Sequence, residues 1–196
     1  MTSTYKQLIK DFDRGRKDGE DVVQKFLLEE FGIETRNIGE LQLGYDLEVV
    51  GLVGDNIDIE KATFSEDKLV AKFIKKFGRT FEVKRDFTSD KTGNLYWECW
   101  SNKKAGVPGC QLSCISDTVI YVRKKEFIFL RRDKFLSWFF ENIFLNTDLA
   151  ENWRKKTSRG KKLKMMAARN NYDVRGILLP VDDIKDSVAC FYIKER

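Results

Sequence analysis

Residues 80–86 read Thr80-Phe81-Glu82-Val83-Lys84-Arg85-Asp86. Apolar and polar side chains alternate along this stretch, which predicts a β-strand, because residues two apart on a strand share a face. Glu82, Lys84 and Asp86 then point one way. Phe81, Val83 and Arg85 point the other, with at least the first two directed into a core. An acid and a base are thereby set side by side on one face of a core strand, and the rest of the chain is read outward from them.

Toward the N-terminus, Leu41 to Val53 alternates in the same manner, with Leu43, Tyr45, Leu47 and Val49 set against Gly44, Asp46 and Glu48. Asn56–Ala62 and Lys68–Phe77 read as extended pieces, with a turn at Gly54-Asp55, so that 51–79 is expected to be an inserted hairpin. Asp18–Phe31 predicts a helix capped by Asp18, carrying Val22, Val23, Phe26, Leu27 and Phe31 at helical spacing and stopped by Gly32. Toward the C-terminus, Asn94–Trp100 predicts a strand after a turn at Lys91-Thr92-Gly93. Gly106–Ser116 holds a short helix. Thr118–Arg123 and Phe127–Leu130 read as a hairpin. Asp133 opens a helix with a stripe of Phe135, Leu136, Phe139 and Phe140. Gly176–Pro180 and Val188–Ile193 are the last extended runs. This succession predicts a mixed α/β domain. With only two prolines and no Pro- or Ser-rich linker, 1–196 is expected to form a single domain.

Composition narrows the chemistry. Apolar residues make up 42% of the chain, enough for a full core, and no apolar run approaches the roughly 18 residues of a membrane span. Met1–Lys10 shows no apolar segment ahead of a small-residue cleavage site, so no signal peptide is expected, no membrane partner is expected, and the expected compartment is the cytoplasm. The chain has no histidine. Ser-His-Asp and Cys-His mechanisms are therefore excluded, as are His-ligated metals. Cys99, Cys110, Cys114 and Cys190 form no C-x-x-C pair and are read as buried or half-buried thiols in a reducing compartment rather than as a zinc site. Hydrolysis in such a chain runs on carboxylates, lysine and a hard cation.

Glu82 and Lys84 suit that chemistry: the carboxylate binds a cation, and the lysine orients or deprotonates a water, or neutralises developing charge. A second carboxylate must come from another strand. Asp46 is the first choice, since antiparallel pairing of its strand with 80–86 would bring it to Glu82; Asp58 in Ile57-Asp58-Ile59 is the alternative. Glu-x-Lys by itself is common and usually marks a surface ion pair.

Charge is unevenly spread. Net charge is +5, yet no acid lies between Glu151 and Asp173, a stretch holding Arg154, Lys155, Lys156, Arg159, Lys161, Lys162, Lys164 and Arg169. A cationic segment over 152–172 suits a polyanion, and a solvated basic loop fits the same composition. Among the tryptophans, Trp153 beside the basic run is the one assigned to base contact; the others are read as core.

The run from Thr80 to Val122 resembles the PD-(D/E)-x-K nuclease superfamily, in particular a group of restriction-endonuclease-like and Holliday-junction-resolvase-like proteins, many carried by phages. Phe81-Glu82-Val83-Lys84-Arg85-Asp86 is followed by Thr92-Gly93-Asn94 with Glu98, then Pro108-Gly109, then Ser116-Asp117 leading into Val119-Ile120-Tyr121-Val122. Phe127-Ile128-Phe129 and Arg175-Gly176-Ile177-Leu178-Leu179-Pro180 are similar to the same group, so the likeness covers about three quarters of the chain. The chain departs from the pattern where Pro108-Gly109 replaces a Ser-Gly turn, where Ser116 replaces an alanine, and in the length of 51–79.

The resemblance implies a restriction-endonuclease-like mixed β-sheet flanked by helices. It also implies a Mg²⁺-dependent deoxyribonuclease, endonuclease before exonuclease, accepting Mn²⁺ as a substitute, with Asp46, Glu82 and Lys84 as its catalytic set. Asp46, Glu82 and the Val83 carbonyl would hold the metal, with Glu20 on the first helix approaching it; Glu20 reads equally as an exposed residue favoured by the helix dipole. Asn94 and Glu98 would position substrate or water, or else anchor their turn, and Asp117 is read as a brace. DNA is the expected partner, through Lys155, Lys156, Lys161, Lys162 and Trp153. The family's duplex cutters admit a symmetric homodimer, in which two sites serve two strands. A non-catalytic DNA-binding protein on the same fold and a structural protein docking on an acidic surface are the competing functions.

Overall fold

The computed structural model describes residues 18–38, 45–52, 66–141, 154–156, 162–167 and 173–195. In chain order its elements are α1 (Glu20–Phe31), β1 (Ile33–Asn37), β2 (Leu47–Leu52), α2 (Glu66–Phe77), β3 (Thr80–Arg85), α3 (Ser89–Thr92), β4 (Asn94–Asn102), β5 (Val107–Pro108) and α4 (Cys110–Ser113). They continue with β6 (Thr118–Val122), β7 (Glu126–Arg131), α5 (Arg132–Phe139), β8 (Arg154–Lys156), β9 (Lys162–Ala167), β10 (Arg175–Pro180), α6 (Val181–Lys185) and β11 (Cys190–Glu195). The architecture is mixed α/β. The described residues fall into two compact units, one within 1–85 and 116–122, the other within 86–115 and 123–196. No helix among the described residues is long and apolar enough to cross a membrane.

In the first unit, α1 buries Val23, Phe26 and Leu27 on one stripe and ends at Gly32, whose φ of 67° is the left-handed cap that glycine adopts without a Cβ penalty. Its N-cap is Gly19, not the expected Asp18, and no side chain caps it. The strands run in the order β1, β2, β3, β6. β1 and β2 are antiparallel, as are β2 and β3, whereas β3 and β6 are parallel from Phe81↔Thr118 to Arg85↔Val122. The sheet is therefore mixed. Every residue of β6 is buried, as its unbroken apolar run requires.

The expected extended piece at Lys68–Phe77 is instead the helix α2. Val70, Phe73, Ile74 and Phe77 recur at i, i+3, i+4 and i+7, a helical stripe that outweighs the β-branched and aromatic content suggesting a strand. Phe73 and Phe77 stack at 4.7 Å between ring centroids, and Phe31 meets them at 5.5 and 5.0 Å. Aromatic pairs at such separations add about 0.5–1.5 kcal/mol each beyond area burial. At the entry to β6, Asp117 Oδ2 accepts hydrogen bonds from the Arg79 and Thr80 amides at 2.7 and 3.1 Å and from Thr80 Oγ1 at 3.2 Å, the bracing role expected of it.

The second unit holds a five-stranded antiparallel sheet in the order β5, β4, β10, β9, β8, and the antiparallel pair β7 and β11. Along β4, Leu95, Trp97 and Cys99 are buried while Asn94, Tyr96 and Glu98 are half-buried, as the alternation predicts. Trp97 stacks on Phe135 of α5 at 4.0 Å, which makes it core. The sequence showed no element between Pro180 and Val188, yet Val181–Lys185 forms α6, and the last strand begins at Cys190 with Val188 exposed. Within the basic segment, Arg154–Lys156 and Lys162–Lys164 are paired backbone, the antiparallel ladder of β8 and β9.

Candidate active site

β2 and β3 pair over a short length, Leu47↔Phe81 and Glu48↔Thr80. Asp46 precedes β2, and there the ladder changes character. Its amide donates to the Phe81 carbonyl at 2.8 Å, its own carbonyl accepts from the Ile38 amide at 2.9 Å, and its side-chain Oδ2 accepts from the Val83 amide at 2.7 Å. A carboxylate oxygen thus takes an amide on β3 that a neighbouring strand's carbonyl would ordinarily take. The amide it holds lies between Glu82 and Lys84 in sequence, so the three residues of the candidate set are drawn to one point of β3.

Glu82 is 6% exposed, and its Oε1 is ion-paired with Lys84 Nζ, whose side chain remains 27% exposed. Burial pushes the Glu82 carboxyl above the ordinary glutamate range; Lys84 opposes the rise, and the negative charges of Asp46 and Glu20 add to it. Burial likewise raises the Asp46 carboxyl, against the pull of Lys84 and of the Val83 amide. The two carboxylates each resist ionisation, which is the setting in which a cation is favoured. Glu20 on α1 lies near enough to act on Glu82, and its Oε2 accepts a hydrogen bond from Asn37 Nδ2 at the end of β1. Asn37 was not singled out from the sequence: an asparagine at a strand end reads as turn chemistry, and only the packing of α1 on β1 reveals its partner.

Among the described residues no group of three or more Cys, Asp and Glu side chains is arranged to hold an ion. Two hard carboxylate oxygens are what magnesium commonly takes from a protein when waters and phosphate complete its shell, so Asp46 and Glu82 fit such an ion. Asp58, the alternative to Asp46, lies outside the described residues.

Several expectations are met elsewhere in the chain by local structure. Asp86 was placed on the face of Glu82 and Lys84. Its carboxylate holds the turn that leads into α3, Oδ1 accepting from the Thr88 and Ser89 amides at 2.9 and 3.1 Å and Oδ2 from the Tyr96 amide at 3.1 Å. Asn94 Nδ2 donates to the Thr92 carbonyl at 2.9 Å, the turn-anchoring role read beside the substrate role. Glu98 Oε1 accepts from Ser101 Oγ at 2.5 Å. Cys99 is buried, and burial together with Glu98 pushes its thiol up to about 12, which makes it inert. Lys155, Lys156 and Lys162 stand on β8 and β9. Trp153 and Lys161 lie outside the described residues. No protein-family model, curated protein or solved structure matches this chain.

Proposed function

We propose that Asp46, Glu82 and Lys84 form the centre of a divalent-cation-dependent deoxyribonuclease of the PD-(D/E)-x-K kind. The observation that carries this reading is the Asp46 Oδ2 to Val83 amide hydrogen bond, which draws a second carboxylate onto the strand segment bearing Glu82 and Lys84. A restriction-endonuclease-like fold goes with the reading, supported by the mixed order β1, β2, β3, β6 and by α1 against β1.

Asp46 and Glu82 would hold Mg²⁺ or Mn²⁺, with the Val83 carbonyl as the further donor the family resemblance implies; Glu20, the fourth donor expected from the resemblance, does not join them in a three-carboxylate group and accepts from Asn37 instead. The bound ion would supply Lewis-acid polarisation of a phosphodiester and activation of a water. Lys84 keeps its ammonium beside Glu82, where it can hold the attacking water and neutralise charge developing on phosphorus-bound oxygens. Glu82, desolvated and paired with that lysine, keeps Lys84 at the site. Tethering the two to one strand fixes their separation before substrate arrives.

The test is a cleavage panel of linear duplex, single strand, flap and four-way junction with Mg²⁺ or Mn²⁺, run with wild type and Glu82→Gln. Metal-dependent cutting lost in the variant supports the reading. Binding of DNA without cutting in either metal returns the chain to the non-catalytic DNA-binding alternative.

A further inference from the structure

The end of β1 touches two acidic residues at once. Asn37 Nδ2 donates to Glu20 Oε2 on α1, and the next amide, that of Ile38, donates to the Asp46 carbonyl at 2.9 Å. Asp46 in turn takes the Val83 amide between Glu82 and Lys84. A chain of contacts therefore leads from the first turn of α1, through Asn37-Ile38 and Asp46, to the candidate centre, all of it within the first unit.

The plain account of the Asn37–Glu20 contact is that it pins α1 to β1. That pin already exists. Gln24 Nε2 donates to the Thr35 carbonyl at 2.7 Å, one helical turn along α1 and two residues back along β1, and the stripe of Val23, Phe26 and Leu27 is buried besides. Residues four apart on a helix share a face, so the two contacts join the same side of α1 to the same strand and differ in chemistry. The Gln24 contact joins two neutral groups. The Asn37 contact takes a half-buried carboxylate, whose desolvation is a cost that a neutral pin avoids.

Two features keep that carboxylate ionised. α1 has no side-chain cap at Gly19, so Glu20 in its first turn meets the positive end of the helix dipole. Asn37 donates to it, and a donor favours the charged form. The charge is felt at the site, since it adds to the rise of the Glu82 carboxyl. A third negative charge beside two carboxyls that resist ionisation favours a cation there. It does so without joining the ligands, because among the described residues Glu20, Asp46 and Glu82 form no three-carboxylate group.

We propose that Asn37 is a positioning residue: it holds the Glu20 carboxylate beside Glu82, where its charge strengthens divalent-cation binding by Asp46 and Glu82 from outside the ligand set. The inference rests on the reading of Asp46, Glu82 and Lys84 as a cation centre and adds the residue that orients its outer carboxylate. Groups that orient a metal site from outside its ligands typically contribute about 10–100-fold in affinity.

The experiment titrates Mn²⁺ into the full chain without DNA and follows free Mn²⁺ by electron paramagnetic resonance, with thermal melts in EDTA alongside. Asn37→Ala and Glu20→Gln are each expected to weaken Mn²⁺ binding about tenfold. The double variant is expected to bind no more weakly than Glu20→Gln alone, since Asn37 acts through Glu20. Gln24→Ala is expected to lower the melting temperature in EDTA as Asn37→Ala does, and to bind Mn²⁺ as wild type does. Should Asn37→Ala not fold, Asn37→Leu, of closely similar shape and without the donor, takes its place. Wild-type affinity in Asn37→Ala would overturn the proposal. So would equal losses in Gln24→Ala and Asn37→Ala, which mark a structural pin, or additive losses in the double variant. Tighter binding in Asn37→Ala would overturn it too, with Asn37 then a latch that keeps Glu20 off the ion. Cleavage by wild type with unchanged affinity in Asn37→Ala refutes the positioning role and spares the nuclease reading. The expected dependence on Asn37 and Glu20 with no cleavage of any DNA does the reverse. A wild type that binds no Mn²⁺ overturns both.

Discussion

The Asp46 carboxylate accepts a hydrogen bond from the Val83 amide at 2.7 Å, so the acid that precedes β2 is fastened to β3 between the acid and the base of the candidate centre. The contact has a structural and a chemical half, and substitution separates them.

Asp46→Asn keeps an oxygen acceptor for the Val83 amide and loses the charge, whereas Asp46→Ala loses both. The alanine variant is expected to lose about 1–3 kcal/mol of stability, the penalty for an unpaired buried donor. The asparagine variant is expected to unfold in EDTA at neutral pH no earlier than wild type, since burial disfavours the Asp46 charge. Both are expected to lose cleavage. Urea denaturation in EDTA, alongside a nicking assay, gives the two readouts; an asparagine variant as unstable as the alanine variant would mean that the hydrogen bond matters less than the charge.

Glu82→Gln and Lys84→Ala are each expected to reduce metal-dependent cleavage by at least about 10²–10⁴-fold, the usual contribution of a positioned acid–base group. Both should fold, since Lys84 keeps part of its side chain exposed and glutamine matches the shape of Glu82. Single-turnover rates on enzyme of verified circular dichroism decide this, and wild-type rates in either variant would remove that residue from the centre.

The pH dependence follows from two carboxyls raised by burial. A group that holds its proton more tightly folded than unfolded makes stability fall as pH rises from the unfolded carboxyl pKa to the raised folded value, and the deficit persists above it. Metal-free protein should therefore lose stability with rising pH across that window. A cation binds the ionised pair, so stabilisation by Mn²⁺ should grow through the same window. Cleavage should decline on acidification at a higher pH than ordinary surface carboxyls would dictate. Thermal melts in EDTA and in Mn²⁺ over a pH series check the sign, which would be reversed if the carboxyls were depressed.

Asp117 offers a control outside the chemistry. Its Oδ2 serves two amides and a hydroxyl at the start of β3, and Gly78, at φ 88°, leaves no room for a Cβ, which would stand 2.9 Å from Asp117 Cγ. Asp117→Ala is expected to cost about 1–3 kcal/mol, chiefly through the half-buried Thr80 amide since water can replace Asp117 at the exposed Arg79 amide, and Gly78→Ala to destabilise through both its backbone and the clash. Cleavage per folded molecule should persist in Asp117→Ala at permissive temperature. A loss of rate without a loss of stability would assign Asp117 a part in the site.

The alternation of Phe81, Val83 and Glu82, Lys84 was enough to read a strand and its two faces, because a period of two is a local property of extended backbone. The α1 stripe with its glycine stop, the buried run of β6, and the excess of cations between Glu151 and Asp173 were legible for the same reason. Lys68–Phe77 was misread because β-branched and aromatic content competes with a helical spacing that only the packing of Phe31, Phe73 and Phe77 arbitrates. Which strands become neighbours, and in which register, is a non-local matter of loop closure and core burial. It therefore took the folded chain to bring Asp46 onto the Val83 amide, to give Asp117 its three donors, and to bring the Asp86 carboxylate onto the Thr88, Ser89 and Tyr96 amides.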